Sequence, residues 1–175
     1  MKHKMKDGRE VELREVKVTD ATLLLEYFEL VNLESKNLLR EPGEYTFTVR
    51  EERNFIRKIL NSDNESMAVV IYDDEIIGSI GFRSSPLKRI THRGSLGMSV
   101  RKKYNNLGVG SLMMEYIIKR AKELKKTKLE LEVRADNLGA IHLYEKFGFE
   151  LEGRIKSGFH IDNKFVDLLV MGKFL

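Results

Sequence analysis

The 175-residue chain contains no cysteine, which excludes a disulfide framework, a cysteine-based zinc site and a thiol nucleophile. It has only two prolines, Pro42 and Pro86, and no repeat or low-complexity stretch, so a single domain over 1–175 is expected. No run approaches the ~20 apolar residues that a membrane span requires. Residues 1–12 are polar and basic, unlike a signal peptide, and residues 1–9 read as a short flexible N-terminus. These absences point to a cytoplasmic protein with no membrane partner.

What is present is ordinary for a globular protein: 42% hydrophobic and 33% charged residues, in a chain long enough to bury a core. The net charge is +4, which raises the question of nucleic acid. The basic residues Lys119, Arg120, Lys122, Lys125 and Lys126 instead spread along one helical pattern as a solvated face. No arginine-rich tail or aromatic-interleaved basic strand is present, so nucleic acid is not an expected partner. Positive potential also suits a strongly anionic ligand.

Alternation over 10–18 predicts a strand, and Thr19 or Asp20 can cap a helix over 21–31. Thr48, with Glu51 three residues on, predicts a capping box for a second helix that buries Phe55, Ile56, Ile59 and Leu60. Strands follow at 66–72 and 75–82 around Asp73-Asp74, then at 94–100. A helix over 108–126, a strand over 128–133 and a helix over 137–147 come next. Strands 149–159 and 165–174 flank Asp162-Asn163, a hairpin turn. The order β-α-α-β-β-β-α-β-α-β-β predicts an α/β (α+β) fold, a mixed sheet with helices on both faces.

The segment from Val100 to Met113 carries the first functional signal. A strand ends at Val100; Arg101, Lys102 and Lys103 follow, and Gly108 and Gly110 open a helix. Free N–H groups and the helix dipole make such a terminus an anion site, which Lys102 and Lys103 would reinforce. A dinucleotide loop needs a third glycine where Met113 stands. A P-loop needs a lysine between Gly110 and Ser111. Gly108 and Gly110 alone are equally consistent with a turn and a close-packing contact.

A second block settles the choice: Asn137-Leu138-Gly139-Ala140-Ile141-His142-Leu143-Tyr144-Glu145-Lys146-Phe147-Gly148-Phe149. It resembles the Asn-x-x-Ala-x-x-Leu-Tyr-x-x-x-Gly-Phe pattern of the GNAT superfamily of acyl-CoA N-acyltransferases. The stretch Asn105, Asn106, Leu107, Gly108, Val109, Gly110, Ser111 resembles that family's pyrophosphate loop, with Asn105 where glutamine or arginine is usual. The tail from Glu152-Gly153-Arg154 through Asp167 to Met171 resembles the subgroup of ribosomal-protein N-terminal and spermidine acetyltransferases.

The resemblance implies acetyl-CoA as acetyl donor, no metal, and direct transfer to a primary amine. It implies a splay between the strands 94–100 and 128–133, with Met98, Ser99 and Val100 giving main-chain groups to the pantetheine arm. Asn137 would both cap its helix and touch the cofactor. Tyr144 would be the general acid for the departing thiolate. Where many relatives carry a glutamate, this chain has Ser95; His92, Glu132 and Glu34 are candidate bases, with water-assisted deprotonation as the favoured course. His142 reads as structural.

The acceptor is expected to meet residues 26–45 and the hairpin 157–166. Five acids (Glu26, Glu29, Glu34, Glu41, Glu44) face Lys36 and Arg40 over 26–44, a bias that suits a cationic amine or simply a solvated helix. A polyamine-like amine, an antibiotic amine and a protein N-terminus all remain open, as does a homodimer. The alternatives are a degenerate acyl-CoA-binding module and a basic nucleotide- or nucleic-acid-binding domain.

Overall fold

The computed structural model describes residues 1–175. Its strands are β1 (Lys2–Lys4), β2 (Glu10–Glu15), β3 (Glu65–Tyr72), β4 (Glu75–Ser84), β5 (Arg93–Val100), β6 (Lys128–Arg134), β7 (Glu150–Ile161) and β8 (Lys164–Phe174). The helices are α1 (Ala21–Glu34), α2 (Val49–Leu60), α3 (Val109–Glu123) and α4 (Leu138–Lys146). All eight strands join one sheet in the order β1-β2-β3-β4-β5-β6-β8-β7, antiparallel throughout except at β5–β6. The expected mixed sheet with flanking helices is therefore present, with one strand more than the sequence pattern predicts.

That extra strand corrects the flexible N-terminus. Residues 2–4 pair with β2, His3 opposite Val11, and Met5 is 3% exposed. The Met1 ammonium donates to the Leu13 carbonyl at 2.8 Å. Burial of Met5 in the main core holds down a segment whose polar composition gives no strand signal.

Local chemistry explains most element boundaries. The Thr48 hydroxyl accepts from the Glu51 N–H at 3.3 Å while the Glu51 carboxylate accepts from the Thr48 N–H at 2.8 Å, satisfying two donors at the start of α2. Asp73 and Asp74 (φ 50° and 58°) and Asp162 and Asn163 (φ 51° and 59°) form left-handed pairs that match the twist of a two-residue hairpin. Asp20 departs from expectation: its carboxylate accepts from Arg14 at 2.7 and 2.9 Å and from the Lys17 N–H, rather than capping α1.

Two apolar clusters sandwich the sheet. The larger joins α3 and α4 to Leu96, Leu129, Leu131 and Val133; the smaller joins α1 and α2 to Met67, Val69 and Ile76. From the smaller one, Tyr27 reaches β5, its hydroxyl donating to the Ser99 carbonyl at 2.7 Å and lying 2.8 Å from Ser99 Oγ. At the end of α1, Glu34 accepts from Arg101 at 2.9 Å and from the Lys102 N–H at 2.7 Å. Burial opposes its charge, but these hydrogen bonds outweigh it and hold the Glu34 carboxyl below the usual range. Both contacts fasten the far end of β5 to α1.

Tyr27→Phe keeps the ring but removes the hydroxyl from a 2%-exposed site. The expected cost is about 1–3 kcal/mol of unfolding free energy, because Ser99 loses a buried donor. A denaturant titration in which the midpoint does not move would show that β5 is held without this contact.

Candidate active site

β5 and β6 pair in parallel over three residues only, Arg93↔Lys128, Gly94↔Leu129 and Ser95↔Glu130. Beyond that point β5 continues on β4 as far as Gly78↔Val100, while β6 continues on β8 as far as Arg134↔Leu168. The two strands thus diverge into a fork, as the family resemblance implies. Which main-chain groups line it follows from register. The Arg101 N–H donates to Ile77, so Ser95, Gly97 and Ser99 direct theirs toward β4, and Leu96, Met98 and Val100 direct theirs into the fork. Met98 and Val100 thus have main-chain groups that β4 does not engage. Ser99 differs: its main chain serves β4 and its side chain holds Tyr27, so it is a structural pin.

The anion loop lies at the mouth of this fork. Gly108 adopts φ +91°, a left-handed conformation that favours glycine, and α3 starts there with no side-chain cap. The N–H groups of Val109, Gly110 and Ser111 have no intrahelical acceptor and present partial positive charge. Asn105, Asn106 and Leu107 form the turn leading in, with Asn106 also at positive φ. Gly110 serves packing as well: a Cβ there would lie 2.9 Å from Leu143 Cδ2 and 3.4 Å from Met98 Cε. It is the point where α3, α4 and β5 meet.

Of the expected lysine pair, only Lys102 keeps a free ammonium. Lys103 is committed to Glu75 at 3.1 Å, and Arg101 to Glu34. Asn137 caps α4 as predicted, accepting from the Ala140 N–H at 3.4 Å.

Tyr144 is 8% exposed and belongs to the cluster containing Val109, Met113, Leu131 and Val133, with Met98 and Leu143 packed against it. Its ring lies 5.9 Å from Phe149. Burial pushes its phenol up to about 12, so the proton is retained at neutral pH. His92 lies elsewhere. It is exposed and precedes the paired root of the fork, its carbonyl accepting from Thr127 and Lys128. Six residues of extended chain, about 20 Å, separate it from Met98. The structure does not bring His92 to Tyr144.

On the opposite face of the fork, alternation places Ser95 and Gly97 of β5 beside Glu130 and Glu132 of β6. Glu130 is paired with Arg93 at 3.0 Å, and Glu34 is engaged as described. Glu132, two residues past the last β5–β6 pair, is exposed and forms no ion pair. The walls come from the segments expected to meet the acceptor. Arg134 donates to the Lys36 carbonyl at 2.6 Å and holds Asp136, while the Lys36 ammonium pairs with Asp162 at the β7–β8 turn. The loop after α1 and the hairpin therefore touch over the outer end of β6. Sequence reasoning misses Tyr27, because a tyrosine on the apolar face of an amphipathic helix reads as core.

Residues 30–149 match the acetyltransferase (GNAT) family model. The fold is similar to that of a GNAT-family acetyltransferase from Streptococcus pneumoniae, with TM-score 0.92, 32% identity, and coverage of 94% of this chain and 99% of that one. It is also similar to a phosphinothricin acetyltransferase from Sinorhizobium meliloti solved in complex with acetyl-CoA, with TM-score 0.81, 15% identity, and coverage of 94% and 88%. In sequence, the chain is 30% identical over 106 residues to the L-amino acid N-acetyltransferase of Escherichia coli, 60% of this chain and 65% of that protein's length.

Ser111→Asp separates helix stability from anion binding. A carboxylate in the first turn of α3 favours the helix dipole by about 0.3–1 kcal/mol, so the fold should hold or gain slightly. The same charge opposes a phosphate, so affinity for coenzyme A should fall roughly tenfold or more. Calorimetry that finds unchanged affinity in the folded variant would remove α3 from the anion site.

Proposed function

The chain belongs to the GNAT acetyltransferase family, and from that premise we propose that it transfers an acetyl group from acetyl-CoA to a primary amine. The observation that carries the reading is the fork itself, which opens beside an uncapped helix N-terminus and has Tyr144 buried in the cluster along one side. The residues present suit the donor. Gly108 leaves the first N–H groups of α3 uncovered, and Met98 and Val100 offer main-chain groups to an amide-bearing arm. The neighbour of the same fold that was solved with acetyl-CoA adds support.

Acetyl-CoA supplies an activated thioester carbonyl and a thiol leaving group. The amine nitrogen forms the new C–N bond as the C–S bond breaks, and two protons must be handled. An alkylammonium near 10.4 is only about 0.04% neutral at pH 7, and an α-amino group near 7.8 about 14%. Glu132 takes the amine proton, directly or through water: it is the carboxylate at the open fork that no cation neutralises. Tyr144 supplies a proton to the sulfur. Its phenol is a weak acid, but the apolar surroundings that raise it also raise a neighbouring thiol, which keeps the transfer feasible. His92 has no place in this scheme, and Ser95 across the fork needs none.

Two substitutions test the assignment. Tyr144→Phe should leave stability and coenzyme A affinity nearly unchanged and lower kcat by about 10²–10⁴-fold. Glu132→Gln should lower kcat/KM by at least about tenfold and shift the acid limb of its pH profile toward the substrate amine's own pKa. His92→Ala should change neither. A fixed acid limb that disappears only in His92→Ala would reverse the choice of base, and coenzyme A binding with no turnover across an amine panel would favour a non-catalytic module.

A further inference from the structure

Resting on that reading, we infer that Lys6, in the turn between β1 and β2, is a cofactor-phosphate ligand that completes the anion loop from outside it. The turn is fastened to the loop at two points. The Lys6 N–H donates to the Leu107 carbonyl at 3.0 Å, one residue before the uncapped start of α3. Arg9, on the other side of the turn, lies 5.3 Å from the Tyr104 ring centroid and 5.1 Å from that of Tyr72. Tyr104 is itself buried at the entry to the loop.

Charge bookkeeping singles out Lys6 within the turn. Arg9 is neutralised by Asp7, to which it donates at 2.6 and 2.8 Å. Lys6 is exposed and forms no ion pair, and its Cγ lies 3.8 Å from the position of a Cβ added to Gly108. The aliphatic stem thus runs past the glycine whose conformation opens the helix terminus, in a region where Lys103 and Arg101 are both committed to carboxylates. Lys6 and Lys102 are the cations left to meet a phosphate there. A positive charge at that place attracts either the pyrophosphate or the ribose 3′-phosphate of coenzyme A.

The test compares wild type, Lys6→Ala and Lys6→Glu with three donors: acetyl-CoA, its 3′-dephospho form, and acetyl-pantetheine, which has no phosphate. Wild-type turnover of acetyl-CoA establishes the underlying reading; without it, the reading itself fails. Given turnover, Lys6→Glu should raise KM for acetyl-CoA about tenfold, Lys6→Ala less, with kcat within about twofold. The penalty should shrink as salt is added and be absent with acetyl-pantetheine. A penalty that persists with the 3′-dephospho donor places Lys6 on the pyrophosphate, and one that vanishes places it on the 3′-phosphate. An unchanged KM for acetyl-CoA in Lys6→Glu, or an equal penalty with acetyl-pantetheine, overturns the inference.

Discussion

β5 is claimed by three neighbours, and the site depends on which of them wins. At its root it is shared with β6, and at its far end it is held by β4 on one edge and by α1 through Tyr27–Ser99 and Glu34–Arg101. β6 is drawn the other way by an antiparallel ladder to β8 that runs its whole length. A parallel ladder that stops after Ser95↔Glu130 leaves polar main-chain groups along both strands, and such groups are costly unless something engages them. The fork is therefore a consequence of competing ladders, and on the proposed reading its free main-chain groups would receive an amide-bearing arm as a surrogate strand.

Charge placement around the fork follows a similar economy. Most charged groups near it are already satisfied: Arg93 with Glu130, Arg101 with Glu34, Lys103 with Glu75, Arg134 with Asp136 and Lys36 with Asp162. At exposed sites such pairs add little stability, but they fix which charges stay available. Lys6 and Lys102 remain by the loop, and Glu132 remains on the opposite face beyond the root. An anion is thereby favoured at the loop and a cation on the opposite face of the fork. Paired charges also restrain the segments that wall the face, because the Lys36 carbonyl and ammonium engage β6 and the hairpin turn at once.

The sequence was most legible where local chemistry decides the outcome. Thr48 and Glu51 announce a capping box, Asp73-Asp74 and Asp162-Asn163 announce two-residue turns, and Asn137 announces a cap; each needs only its own neighbours. Legibility ended where a partner from elsewhere decides. Lys2–Lys4 becomes a strand because Met5 finds a core and β2 offers an edge, neither visible in a polar segment. Lys103 is lost to the loop because Glu75 lies across the sheet. Ser99 turns away from the fork because its hydrogen-bonding parity is set by β4, and period-two alternation alone does not say which edge a residue's main chain serves.

The same reasoning accounts for a serine at position 95. A general base has to stand within reach of the attacking nitrogen, directly or through one water, and no particular strand has to carry it. Ser95 pairs with Glu130 across the root, and Glu130 is neutralised by Arg93, so neither offers a free base there. One alternation further along β6, where β5 has already separated, Glu132 faces the same side with no cation on it. With Glu132 as the proposed base, the carboxylate would stand on β6 and leave β5 free of a charge beside Gly97, where an added Cβ meets nothing within 4 Å. The acceptor side of the fork is then open on β5 and acidic on β6, an asymmetry that would admit an amine along one strand and take its proton on the other.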